Sequence, residues 1–213
     1  MNDNLTIYVT YHQDSQVNDY HLNTLTTPFK LYNVNDTPQG ININPLNFTF
    51  SEMVTMYYVY KNNLYTPYIG FNHYRRIFKT IKLPDNDSCQ ILRTYNFNIY
   101  SQYQTAHNKQ DIDTALSILD NNYGTDNPYS KHIRHDNTLI GNCCFIMTWD
   151  NFIKLCDFMF PILFELDKQF NTHLNKQEYL ARYNNDTYQA RVLSFIAERL
   201  ISAYITTHLK WYK

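Results

Sequence analysis

Glycine is scarce in this chain of 213 residues, with only 4 present. A glycine-rich phosphate loop is therefore excluded almost outright. No CxxC pair exists among the four cysteines Cys89, Cys143, Cys144 and Cys156. That removes a zinc knuckle or a thioredoxin-type centre, and the cysteines read as buried free thiols of a reducing compartment. Neither sign of charge is in excess: 18 Lys+Arg face 19 Asp+Glu, a net charge of -1. A protein gripping nucleic-acid phosphates would be basic, so general nucleic-acid binding is disfavoured. No apolar run is long enough to span a membrane. The most apolar stretch, Phe152 to Leu166, is interrupted by Lys154, Asp157 and Glu165, and about 20 apolar residues are needed. The N-terminus lacks a basic region followed by an apolar stretch, so no signal peptide is read. Gly-x-Ser-x-Gly, a Walker loop and His-Glu-x-x-His are all missing. The expectation is a soluble, cytoplasmic protein with no nucleic-acid partner and no membrane span.

What is present is a globular composition, 44% hydrophobic, with 20 Tyr and 13 Phe. A chain of this size buries enough surface to fold without staples. Leu5 to Tyr11 is β-branched and aromatic, a strong strand signal. Phe29 to Val34 is a weaker second strand, and 35–47 is a loop. Ser51 is placed to cap a helix to about Asn62, with Met53, Met56, Tyr57 and Tyr60 on one stripe. Tyr68 to Phe71 is a short buried strand, and a loop-rich middle runs from Lys79 to Gln110. Asp111 opens a helix. Leu139 to Met147 reads as one fully buried strand, followed by a helix from Thr148 that Pro161 should kink. About 170–187 reads as a flexible polar insertion, and a last helix runs from about Gln189 to Thr207. Strands alternating with helices predict a single α/β domain over 1–213 with a mostly parallel central sheet flanked by helices. In such sheets ligands bind outside the carboxyl ends of the strands. Tyr11-His12 and Asn72 to Arg76 fall there.

His73, Arg75 and Arg76 suit a diphosphate. Guanidinium groups offer planar, multidentate donors to phosphate oxygens, and an imidazole adds a donor or a metal ligand. The bland alternative is a solvated basic loop. Two D-x-D triplets, Asp85-Asn-Asp87 and Asp111-Ile-Asp113, carry the hard oxygen ligands that hold Mn²⁺ or Mg²⁺ against a nucleotide diphosphate. They read equally as turn residues and a helix cap. His107, four residues before Asp111, would meet it around one helical turn. Gly141-Asn142 before an apolar run can face a ligand, or simply turn the chain. On a helical wheel Glu198 falls on the polar side of the last helix, with Arg199 at the apolar edge.

Taken together, Ile7 to His12, Ser51 to Asn62, Tyr68 to Phe78, His107 with Asp111 to Asp113, Asn142 to Met147 and Arg191 to Ile201 resemble the domain-of-unknown-function family 4422. The His-Tyr-Arg-Arg and Phe-Ile-Ala-Glu-Arg elements are the specific ones. The resemblance implies a GT-A-like, nucleotide-sugar-binding sandwich and a glycosyltransferase of capsular or exopolysaccharide biosynthesis, transferring a sugar from a UDP-sugar to a glycan or small-molecule acceptor. It implies Tyr11, His12, His73, Arg75, Arg76, Asn142 and Arg199 at the donor and Asp111 or Glu198 as base. If a divalent ion takes part, His73, His107 and Asp111 are its first-choice ligands. The segment from Asp36 to Asn47 departs from the family pattern. Two rival readings are a degenerate nucleotide-sugar binder or hydrolase, and a non-enzymatic aromatic-rich carbohydrate-binding module.

Overall fold

A computed structural model describes residues 4–172 and 176–213. In chain order the elements are β1 (Leu5–Tyr11), α1 (Asp14–Asp19), β2 (Phe29–Asn33), α2 (Asn47–Phe50), α3 (Met53–Lys61), β3 (Tyr68–His73), β4 (Ser88–Ile91), β5 (Thr94–Asn96), α4 (Ile99–Ala106), α5 (Lys109–Tyr123), α6 (Pro128–His135), β6 (Thr138–Ile140), β7 (Phe145–Thr148), α7 (Trp149–Phe170), α8 (Lys176–Arg182), α9 (Val192–His208) and β8 (Lys210–Tyr212). The main sheet has six strands in the order β2-β1-β3-β7-β4-β8. β1 pairs parallel with β2 and β3, and β4 with β8, while β7 runs antiparallel to both its neighbours. Only β7 is reversed, so the sheet is mostly parallel as expected.

Alternation along β1 explains the layers. Tyr8 joins the large core under the helical layer of α3, α7 and α9, while Leu5, Ile7 and Val9 face the other way. That second face is closed by α1, the turn Leu22–Thr24 and the segment carrying Ile77, Phe78 and Ile81. All four cysteines are buried and unpaired. No helix among the described residues is long and apolar enough to cross a membrane.

Several sequence expectations need correction. The run Leu139 to Met147 is not one strand. β6 pairs with β5 in a separate two-stranded sheet, and β7 belongs to the main sheet. Between them Asn142 (φ 69°) and Cys143 (φ 53°) are both left-handed, which turns the chain although every side chain around them is apolar enough for a strand. The middle segment holds β4, β5 and α4, the last capped by the Asn98 side chain accepting from the Ser101 N–H. These strands are three or four residues long, so cross-strand pairing rather than local pattern decides them. The polar segment after Phe170 contains α8, whose Tyr179 is buried, its hydroxyl 2.6 Å from the Ala190 carbonyl. Residues 173–175 of that segment lie outside the described residues. α7 runs from Trp149 to Phe170 with Pro161 inside it, so the proline does not end the helix.

Candidate active site

The strand order places β2 on one side of β1 and β3 on the other. Between β1 and β3 the connections leave in opposite directions, and a crevice opens beyond their carboxyl ends. The register pairs Thr10 with His73, so both strands end at one level. Two adjoining cavities, of about 420 and 350 Å³, lie there and share Glu52, His73, Arg75 and Arg191 in their walls. They form one cleft of a size ordinary for a small-molecule site.

The basic segment is set by a tight turn at the end of β3. The Arg76 N–H donates to the His73 carbonyl at 2.7 Å, and Tyr74 N–H extends the ladder to Thr10. The Arg75 N–H donates to His73 Nδ1 at 3.2 Å. With Nδ1 accepting, the neutral ring carries its proton on Nε2, which faces Glu52 Oε1 at 3.3 Å. Burial pulls the His73 pKa down to about 4, outweighing Glu52, and Arg75, Arg76 and Arg191 add to the depression. His73 is therefore neutral at pH 7, a hydrogen-bond donor through Nε2 rather than a cation. It serves as a polar strut while the arginines carry the charge. Arg75 is exposed, its guanidinium 5.2 Å from the Tyr74 ring centre, and Arg76 is half-buried.

Glu52 and Arg191 were not singled out in the sequence, yet they complete the centre. Ser51, at φ 47°, joins α2 to α3 and turns Glu52 inward. Arg191 Nε donates to Ser51 Oγ at 2.8 Å and its Nη2 lies 3.5 Å from Glu52 Oε1. The signal available was a Ser-Glu pair at a helix start. Its usual reading is a cap, whereas the Ser51 hydroxyl here accepts from a cation.

Tyr11 and His12 line the first cavity, as placed by β1. Burial lowers the His12 pKa, with Arg191 reinforcing it. Arg76, His107, Asn142, Glu198 and Arg199 line the second. Glu198 is not on a solvated face. Its Oε1 accepts the Asn142 N–H at 2.5 Å and its Oε2 accepts from Arg199 Nη1 at 3.0 Å. The wheel placed Glu198 on the polar side of α9, and that side is not solvated there because the left-handed turn at Asn142 brings a backbone donor to it. Arg199 is 2% exposed and also donates to Gln102 Oε1 and the Phe195 carbonyl. His107 stacks on Phe195 with ring centres 4.0 Å apart and bonds to Gln189 Oε1 at 2.9 Å.

Asp111 does not belong to this site. It is 0% exposed, with Oδ1 accepting from Arg182 Nη2 at 2.9 Å and Oδ2 from the Tyr183 hydroxyl at 3.1 Å. Burial pushes its carboxyl up despite Arg182. It is neither base nor cap, since Asn108 caps α5; it tethers the segment 176–191 that walls the cleft. Of the other D-x-D residues, Asp113 accepts from Lys109 and Tyr100, Asp85 turns back onto Ser88 through its backbone, and exposed Asp87 lies 3.9 Å from Lys210 Nζ; none of them lines the cleft. A divalent ion at His73, His107 and Asp111 does not fit this arrangement. Among the described residues no three His, Cys, Asp or Glu side chains come together as a ligand set.

A mixed α/β sheet with a polar, arginine-walled cleft at its switch point defines the class of ligand-binding α/β domains. Within that class the chain belongs to the family described as a domain of unknown function (DUF4422), which it matches over residues 6–94 and 83–209. Among solved structures it is similar to the apo form of WbbM, a bifunctional glycosyltransferase, with a TM-score of 0.74 at 20% identity. The likeness covers 98% of this chain and 44% of that one, so the chain spans less than half of WbbM's length. No curated protein matches it.

Proposed function

We propose that this chain is a glycosyltransferase domain that moves a sugar from a nucleotide sugar to an acceptor hydroxyl. The observation that carries the reading is the junction of the two cavities, where Arg75 and Arg191 stand at the carboxyl ends of β1 and β3 with Arg76 beside them. Fold likeness to a bifunctional glycosyltransferase supports it. A leaving nucleoside diphosphate develops negative charge, and fixed cations in a partly desolvated cleft stabilise that charge as it forms. Tyr11 and His12, in the first cavity, lie where the nucleoside extends. Glu198 is the base. Each of its oxygens is held by one donor, which leaves lone pairs for the acceptor. The acceptor oxygen attacks the anomeric carbon, the bond from that carbon to the phosphate oxygen breaks with its electrons leaving on the diphosphate, and the hydroxyl proton passes to the carboxylate. Glu52 holds His73 and Arg191 in place. No step is assigned to a metal.

The test is a thermal-shift screen of UDP-, GDP-, CMP- and dTDP-sugars, UDP-sugars being the first candidates. One of them should raise the melting temperature, and Arg75→Ala or Arg191→Ala should cut its affinity at least about tenfold, since a charge-assisted contact is worth about 1.5–3 kcal/mol. Silence from every nucleotide sugar would overturn the reading and favour a carbohydrate-binding module. Product analysis with and without acceptors separates transfer from hydrolysis.

A further inference from the structure

The second cavity differs in chemistry from the first. Its wall carries Tyr95, Phe97, Tyr188 and Phe195, with Asn142, Glu198 and Arg199 among its polar groups. Tyr188 is 57% exposed at the rim, tilted against Phe195 with ring centres 5.2 Å apart. It is no loose tail residue, because its N–H donates to Asp186 Oδ1 at 2.8 Å. On β5, Tyr95 lies flat against the backbone. A Cβ on Gly141 would sit 2.3 Å from Tyr95 Cε2, so the ring occupies its place only because residue 141 has no side chain. The Tyr95 hydroxyl donates to Asn142 Oδ1 at 3.1 Å, which fixes the ring further. Arg199 is buried and held by Glu198 Oε2, Gln102 Oε1 and the Phe195 carbonyl.

We infer that the second cavity is an acceptor subsite that takes a carbohydrate, one sugar ring lying against the Tyr188 and Phe195 faces. A sugar ring has two chemistries. Its C–H face is apolar and matches an aromatic surface, and its rim of hydroxyls both donates and accepts. The cavity offers both, with aromatic faces on one side and carboxylate, amide and guanidinium groups on the other. An apolar acceptor would cover the remaining lone pairs of Glu198, whose two oxygens each accept from one donor, without supplying a donor for them. A hydroxyl donates to those lone pairs without disturbing the Glu198–Arg199 pair at 3.0 Å. The subsite rests on the proposed transferase reading for its role, since it sets the bound hydroxyl beside Glu198 and next to the arginines of the shared wall.

The experiment is saturation-transfer NMR on the full chain with methyl pyranosides and furanosides of the common hexoses, with and without saturating UDP. At least one glycoside should bind, with strongest saturation on the protons of one ring face. Tyr188→Ala should weaken it about five- to tenfold, and Tyr188→Phe should restore it, as expected for a stacking contact. Tyr188 is exposed enough that its truncation spares the core, and a melting curve verifies this. Tyr95→Ala serves as the second variant. If no glycoside binds in either condition, or if both alanine variants bind like the parent, the inference is overturned. UDP binding, titrated separately, keeps the two ideas apart. UDP without any glycoside sinks the subsite and spares the transferase, whereas a glycoside with silence from every nucleotide sugar of the thermal-shift screen does the reverse.

Discussion

Replacing Asp111 should loosen the cleft without touching its chemistry. In the parent, the fully buried carboxylate answers two donors, Arg182 Nη2 and the Tyr183 hydroxyl, both on or just after α8. Alanine at 111 leaves the buried Tyr183 hydroxyl without an acceptor, at about 1–3 kcal/mol. It also strands the Arg182 guanidinium. Breaking a fully buried pair costs about 3–5 kcal/mol, but the Arg182 side chain is 31% exposed and water recovers part of that. The total is roughly 2–4 kcal/mol, or a fall of about 5–15 °C in melting temperature for a chain of this length. Asp111→Asn keeps an acceptor for Tyr183 and should lose about half as much. Nucleotide affinity should fall as well, because Lys176, Leu180, Thr187 and Arg191 of the tethered segment line the first cavity. Melting curves and UDP calorimetry on Asp111→Ala, Arg182→Ala and the double variant give both readouts, and the two losses should be strongly non-additive. An Asp111→Asn protein that melts like the parent yet transfers no sugar would refute the argument and return Asp111 to the chemistry.

Three further outcomes are expected. Because the folded pKa of His73 is depressed to about 4, its contribution to stability is full above the unfolded value of 6.5 and is lost as pH falls toward 4; His73→Asn should flatten the urea-stability profile across that window by roughly 3 kcal/mol, and an unchanged slope would show that the ring is not buried as described. Glu198→Gln should lower the transfer rate by about 10²–10⁴ with UDP affinity retained, and if Glu52→Gln shows that pattern instead, the base is Glu52. Transfer should survive EDTA if Arg75, Arg76 and Arg191 of the cleft wall stabilise the leaving diphosphate by themselves; complete loss with full recovery on Mn²⁺ would show that the arginines alone do not stabilise the leaving group.

Much of the fold was legible where the pattern is long. β1, β3, α7 and α9 each carry enough consecutive apolar or β-branched positions for periodicity to decide them, and their order implied the mostly parallel sheet. The short elements were not legible. β8, at Lys210–Tyr212, pairs with β4 from 122 residues away in sequence, and no local signal marks a three-residue strand. α8 reads as polar because only Tyr179 is buried on it. Its place is fixed by hydrogen bonds to Thr49, Ala190 and Asp111 rather than by an apolar stripe.

For the site, what was legible was place: Tyr11, His12, His73, Arg75 and Arg76 stand at strand ends and line the cleft. The rest depend on tertiary pairing, and there residue type misleads. Asp111 and Glu198 are both acidic residues on helices beside a cation, and the sequence offered both as bases. What separates them is which side of its helix each carboxylate leaves from and what waits there. For Asp111 it is a closed pocket with an arginine and a tyrosine. For Glu198 it is the left-handed turn at Asn142 and Cys143, whose backbone N–H reaches the carboxylate from across the cleft. Two successive non-glycine residues at positive φ cost of the order of 1–3 kcal/mol each. A straight strand from Leu139 to Met147 would avoid that cost and would also withdraw the donor that fixes Glu198. The break in the strand and the placement of Glu198 are therefore one feature, and relieving the turn, as with Asn142→Gly, should stabilise the fold's backbone there while losing Tyr95's anchor at the Asn142 side chain.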